Sequence, residues 1–186
     1  VTCTKSNEGF ATAGGVQYVA CAGNFKDAGL EYTGALKVLQ MIFSYEYLWI
    51  QIRVKGGAYG CMCSFSDQGD SMFVTYRDPN LSESYKVYDE AADYVADFDA
   101  DDRDMKKYII GTIGSMDMPM EAVDMGARSF HAYFLGKTEA DLQKVRDQVL
   151  SCTQEDIRAL APIVKAAGSA SQDFSFSHQK YLRSWL

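Results

Sequence analysis

Arg53 and Tyr59 stand six positions apart around the run Gly56-Gly57-Ala58. Arginine carries a permanent charge on a fork of five N–H donors, and tyrosine offers one O–H donor on a rigid ring. Joined by a glycine turn, the pair could hold a carbonyl oxygen, and Gly56, Gly57 and Ala58 would let an extended backbone pass close by. A plainer account fits the same residues. A glycine pair often ends a helix, and a basic side chain in the last turn complements the helix dipole. The local pattern leaves both accounts open.

Other chemistries lack their residues. A catalytic zinc takes about three protein ligands. The two histidines, His131 and His178, belong to no zinc-binding helix motif, so no metal ligand is assigned. Cys61 and Cys63 share one face of a strand and form no C-x-x-C pair. The acidic run from Asp97 to Asp104 has Asp102 and Tyr108 where a calcium loop needs glycine and glutamate. It reads instead as acids at helix ends. The run Gly56 to Gly60 lacks the lysine and hydroxyl residue of a phosphate loop, and no nucleophile elbow surrounds any serine, Ser129 near His131 included.

A length of 186 residues suits one packed domain. Apolar and charged fractions of 47% and 23% are those of an ordinary globular protein. A net charge of −7 argues against nucleic acid and anionic membrane as partners. No apolar run approaches the ~20 residues of a membrane-spanning helix. Five cysteines, an odd number, fit a reducing compartment with thiols acting as small apolar residues. The start, Val1-Thr2-Cys3-Thr4-Lys5, has neither an initiator methionine nor a signal-peptide layout, which suggests a fragment or a processed product.

The elements that must position Arg53 and Tyr59 follow from periodicity. Gly15 to Gly23 reads as a strand covered on both faces. Leu36, Leu39, Ile42, Phe43 and Leu48 recur at helical spacing, which predicts a long helix from about Thr33 to Val54 that delivers Arg53 in its last turn. Tyr45, Tyr47 and Trp49 on it read as core or interface aromatics. Strands near Tyr59 to Phe65 and Met72 to Arg77 flank a hairpin connection at Ser66-Asp67-Gln68-Gly69-Asp70. Asn80 and Glu83 have the spacing of a capping box for a following helix, and another begins near Asp101 or Asp102. Val123, Ala127, Phe130 and Phe134 make the apolar stripe of the next, with Gly136 as its C-cap. Thr138 with Asp141 and Thr153 with Asp156 start two more. This order predicts an α+β domain over 1–168, an antiparallel-rich sheet with helices on one face. The stretch 169–186 shows no clear period and is expected to be an atypical tail, disordered or altered in sequence.

Read with its flanks, the turn resembles the C-terminal domain of the presequence protease and falcilysin branch of the insulinase-like (pitrilysin) zinc metallopeptidases. The resemblance runs in order through Gly15 to Val19, Ala22-Gly23-Asn24, Tyr47-Leu48-Trp49, Arg53 to Gly60, Ser71 to Leu81 and Ile109 to Gly114. It implies one of four homologous α+β domains that pair into two bowl-shaped halves around a closed chamber. It further implies that Arg53 and Tyr59 contact the substrate backbone near the scissile bond, with zinc held in the N-terminal catalytic half of the same polypeptide. Short unstructured peptides would be the substrates, and this piece alone would be inactive. The compartment would be the cytoplasm in a bacterium, or mitochondria or another organelle matrix in a eukaryote. A non-catalytic scaffold or peptide-binding module derived from the same fold is the alternative. Cutting a domain from a longer chain exposes apolar interface, so self-association is also expected.

Overall fold

The computed structural model describes residues 7–169 and 172–178. Residues 1–6 (with Cys3), 170–171 and 179–186 lie outside the described residues. Five strands form one sheet in the order β1-β5-β2-β4-β3. They are β1 (Glu8–Thr12), β2 (Tyr18–Asn24), β3 (Gly60–Phe65), β4 (Asp70–Tyr76) and β5 (Gln172–His178). β1 pairs in parallel with β5, and every other pairing is antiparallel.

The helices cover one face of this sheet, as the sequence predicts. Strand periodicity shows which face: Ser71, Phe73 and Thr75 of β4 are buried, while Met72 and Tyr76 are exposed. β2 follows the same rule. Its buried positions are Val19 and Cys21, with Tyr18 exposed, so the expectation of a strand covered on both faces is corrected. The exposed face carries Tyr18, Met62, Met72 and Tyr76.

Beneath the sheet runs α1 (Ala35–Ile42), continued by two π-helical stretches, Phe43–Tyr47 and Trp49–Lys55. The long helix thus exists, but its second half is wider than an α-helix. Leu36, Leu39, Ile42, Phe43, Leu48 and Ile52 are buried along it. Phe43 sits at the centre, its ring 5.8 Å from Phe73, 6.4 Å from Phe65 and 6.1 Å from Tyr94.

The remaining helices are α2 (Ser82–Asp89), α3 (Ala91–Ala96), α4 (Asp102–Met116), α5 (Ala122–Phe134), α6 (Glu139–Leu150), α7 (Gln154–Arg158) and α8 (Ala161–Ser169). Thr138 with Asp141 and Thr153 with Asp156 form capping boxes, and Asp101 caps α4 through the Arg103 and Asp104 amides. One expectation fails. Asn80 and Glu83 form no capping box, because Asn80 turns away to another partner; Leu81 holds the cap position of α2 without a side-chain bond. The stripe of α5 is not covered by the domain: Val123 is 72% exposed, Phe130 65% and Phe134 69%. The segment Gln172–His178, inside the stretch expected to be an atypical tail, is β5. The alternation of Phe174 and Phe176 with Ser175 and Ser177 is a short period-2 signal. Insertion between β1 and β2 gives main-chain partners to both.

One buried carboxylate shapes the loop that follows β4 and ties it to α2. Asp78 is fully buried and accepts from Ser84 Oγ at 2.6 Å and from the Asn80 amide at 2.9 Å. Its own backbone exchanges two hydrogen bonds with Gln17, at 2.7 and 2.9 Å. Replacing Asp78 by Ala leaves two interior donors unpaired. The variant should lose about 2–4 kcal/mol of stability, read as a lowered urea midpoint at unchanged slope. A wild-type midpoint would show that the loop does not depend on this carboxylate.

Candidate functional site

The widened helix delivers Arg53 to one end of the sheet. In a turn that closes i to i+5, residues four and five apart lie nearly one above another. Trp49 therefore sits under Arg53, with the guanidinium carbon 4.6 Å from the indole centroid. The same guanidinium lies 5.6 Å from the Tyr59 ring, and Nη1 donates to the Tyr59 main-chain oxygen. Arg53 is thus held between two aromatic rings across the turn. Its other N–H groups have no hydrogen-bond partner among the described residues.

The turn itself is fully tied. The Gly56, Gly57 and Ala58 amides donate to the Gln51, Arg53 and Ile52 carbonyls at 3.0, 3.1 and 3.1 Å. Those bonds cap the helix, so these amides are not free donors for a ligand, and the Ala58 side chain points into the core. The two glycines have different reasons. Gly57 takes φ +79°, the left-handed region. Gly56 has an ordinary helical φ, but a Cβ there would meet the Ile52 oxygen at 2.6 Å. Asn80 Nδ2 closes the turn from the other side, donating to the Gly56 oxygen at 2.6 Å.

Tyr59 leaves the turn on the sheet's exposed face. Its amide is shared between the Tyr76 and Arg77 oxygens, at 3.2 and 3.3 Å. Its ring makes an edge contact with Tyr76 at 5.6 Å, which meets Tyr18 at 5.4 Å. The side chain is 65% exposed, and its hydroxyl has no hydrogen-bond partner among the described residues. Arg77 completes the cluster from the end of β4. It is the one non-glycine residue with positive φ (50°) among the described residues, and its guanidinium lies 5.8 Å from the Tyr76 centroid.

The structure thus brings together Arg53 and Tyr59, as the sequence suggests, and adds Trp49, Tyr76 and Arg77. Trp49 reads as a packing aromatic in sequence, and only the i, i+4 spacing to Arg53 hints at the stack. Cys61 and Cys63 are packing residues. Burial pushes the Cys61 thiol up to about 11 despite the nearby Arg53 charge, and pushes Cys63 up further. Both stay protonated near neutral pH, unlike metal-binding thiolates. His131 lies on the exposed helix α5. No group of three or more His, Cys, Asp or Glu is placed to hold a metal ion among the described residues.

Comparisons with known proteins agree with this fold. A family described as the PreP C-terminal domain matches residues 7–173. The chain belongs to this family of presequence protease C-terminal domains, within the insulinase-like peptidases. It is 44% identical over 161 residues to Protein HypA of Clostridium perfringens, an alignment covering 87% of this chain and 16% of that protein. It is 35% identical over 159 residues to presequence protease 1, chloroplastic/mitochondrial, of Arabidopsis thaliana, covering 85% and 15%. The chain therefore spans only about one-sixth of the length of these relatives. A crystal structure described as a peptidase M16 inactive domain from Pseudomonas fluorescens shares the fold, with a TM-score of 0.68 at 16% identity, over 94% of this chain and 43% of that one.

The turn geometry makes a direct prediction. Gly57→Ala should cost about 1–2 kcal/mol for a Cβ in the left-handed region. Gly56→Ala should destabilise through contact with the Ile52 oxygen. Urea unfolding of both variants tests this, and wild-type stability for Gly57→Ala would show that the turn tolerates a side chain.

Proposed function

We propose that this chain is the substrate-backbone clamp of a zinc-dependent metalloendopeptidase that degrades short, unstructured peptides. It would work with the N-terminal catalytic half of the same polypeptide. The observation that carries this reading is the pairing of an unpartnered, exposed Tyr59 hydroxyl with an Arg53 guanidinium fixed beside it. Tyr59 donates its O–H to the scissile carbonyl oxygen as negative charge develops there. Arg53 donates to a neighbouring main-chain carbonyl and keeps the peptide in register. Gly56, Gly57 and Ala58 contribute clearance rather than donors, since their amides cap the helix. Zinc, when bound in the other half, supplies the activated water and polarises the same carbonyl.

The exposed sheet face fits the wall of a peptide chamber, because Tyr18, Met62, Met72 and Tyr76 continue the surface on which Tyr59 lies. The relatives place such proteins in a bacterium and in chloroplasts or mitochondria. A cytoplasmic or organelle-matrix location for this chain is part of the same proposal. Among the described residues, no helix is long and apolar enough to cross a membrane.

In the full-length polypeptide, Tyr59→Phe or Arg53→Ala should lower kcat by about 10²–10³ while bound zinc stays at the wild-type level. Unchanged turnover in both variants would overturn the clamp and favour a non-catalytic peptide-binding scaffold.

The bare face of α5 fits an interface that the rest of the polypeptide covers. Cut from that polypeptide, the 186-residue chain should self-associate through Val123, Phe130, Tyr133 and Phe134. Phe130→Asp with Phe134→Asp should shift it to monomer in analytical ultracentrifugation. A wild-type chain that is already monomeric at high micromolar concentration would refute this.

A further inference from the structure

A groove leads away from the Arg53 turn on the helical side of the sheet. A cavity of about 530 Å³ begins at Trp49 and Cys61, beside the Arg53 guanidinium, and follows α1 to Lys37. A second cavity of about 450 Å³ joins it there, since Lys37, Ser115 and Met116 line both. The first part is lined by Met41, Tyr45, Trp49 and Met116 among small polar groups. The far part changes character. Lys37, Arg128 and Lys137 line it against a single carboxylate, Asp67.

These cations are not equally engaged. Lys137 forms an ion pair with Asp67. Among the described residues, Arg128 has only a long contact to the Met120 sulfur, at 3.8 Å. Lys37 is half-buried, and its ammonium has no hydrogen bond or ion pair among the described residues. Burial disfavours its charge, the attraction of Asp67 is the main relief, and Arg128 and Lys137 repel it. On a chain with net charge −7, a groove end with three cations and one anion is a local reversal of sign. An anionic group placed between Lys37 and Arg128 would relieve that repulsion and pair a partly desolvated charge.

Distance makes the groove a subsite of the clamp. Lys37 and Arg53 lie on one continuous helix, sixteen residues apart at no more than ~1.5 Å each, so at most about 24 Å separates them. An extended peptide covers that span in about seven residues. β3 is the last strand in the sheet order, and its Cys61 lines the groove.

We propose that this groove binds a carboxylate of the substrate peptide at Lys37 and Arg128, no more than about seven residues from the bond held at Arg53 and Tyr59. The apolar floor between takes the intervening side chains. This rests on the clamp reading for the position of the bond, but not for the binding itself. The carboxylate is either the peptide's free C-terminus or an acidic side chain, since both present the same charge and geometry.

The test is an equilibrium measurement on the full-length protein with its metal chelated, so that binding does not depend on turnover. Fluorescein-labelled unstructured peptides are compared by anisotropy in four forms: free acid or C-terminal amide, each with Glu or Gln at the distal position. Neutralising the recognised carboxylate should weaken Kd about tenfold, the size of one charge-assisted hydrogen bond. That discrimination should vanish in Lys37→Met with Arg128→Gln. Weakening on amidation alone identifies the C-terminus, and weakening on Glu-to-Gln exchange alone identifies an acidic side chain. Equal Kd for all four peptides in the wild type overturns the proposal, as does discrimination that persists undiminished in the double variant. Discrimination in Kd together with normal kcat in Tyr59→Phe would retain the carboxylate site and remove the clamp, so the two readings fail separately.

Discussion

The buried Asp78 carboxylate is the constraint from which the working end of this domain follows. A charge removed from water must be paired or hydrogen-bonded, and here the Ser84 hydroxyl and the Asn80 amide meet that demand. Because both donors lie just downstream, the chain must fold back at Pro79. That fold carries the Asn80 side chain to the Gly56 carbonyl, in a different part of the sequence. The Gln17 pairing anchors the same loop to the start of β2. The helix end, the end of β4 and the start of β2 are thus joined through the short loop Asp78-Pro79-Asn80, which the buried carboxylate holds in shape. The turn between Arg53 and Tyr59 is braced by that loop.

Much of this arrangement was legible in the sequence, and the gaps have physical causes. Capping boxes are local, so Thr138 with Asp141 and Thr153 with Asp156 could be read directly. Asn80 looked the same by spacing. A competing partner 24 positions away took its side chain, and no local pattern reports that. The π-helical widening of 43–55 leaves the apolar residues close to α-helical spacing, so periodicity found the helix and missed its geometry. With it went the stack of Trp49 on Arg53. The resemblance supplied Arg53 and Tyr59, and the local pattern alone did not choose between a clamp and a helix cap. Both descriptions apply, because the amides of the glycine turn cap the helix while the side chains beside it stay exposed.

The distribution of apolar surface separates two kinds of expectation. Periodicity states that a helix has an apolar side, and α5 has one. It cannot state whether that side is met by this domain or by something else. Val123, Phe130 and Phe134 lie exposed on α5, and the Tyr18–Tyr76–Tyr59 ring series lies exposed on the sheet. A domain spanning one-sixth of its relatives' length has less interior of its own to fill. Surface that reads as core by its period then lies exposed on this chain.

The widened helix has a consequence for how this domain can change over generations. A π-turn holds about one residue more than an α-turn, so losing a single residue between Phe43 and Lys55 can be absorbed by tightening that turn, and the chain beyond it keeps its direction. Apolar packing upstream, from Leu36 to Ile42, would survive such a deletion. The same loss within α1 itself would swing everything after it by about 100°. The wide turns are therefore where this helix can change length at the least cost to the turn that follows it.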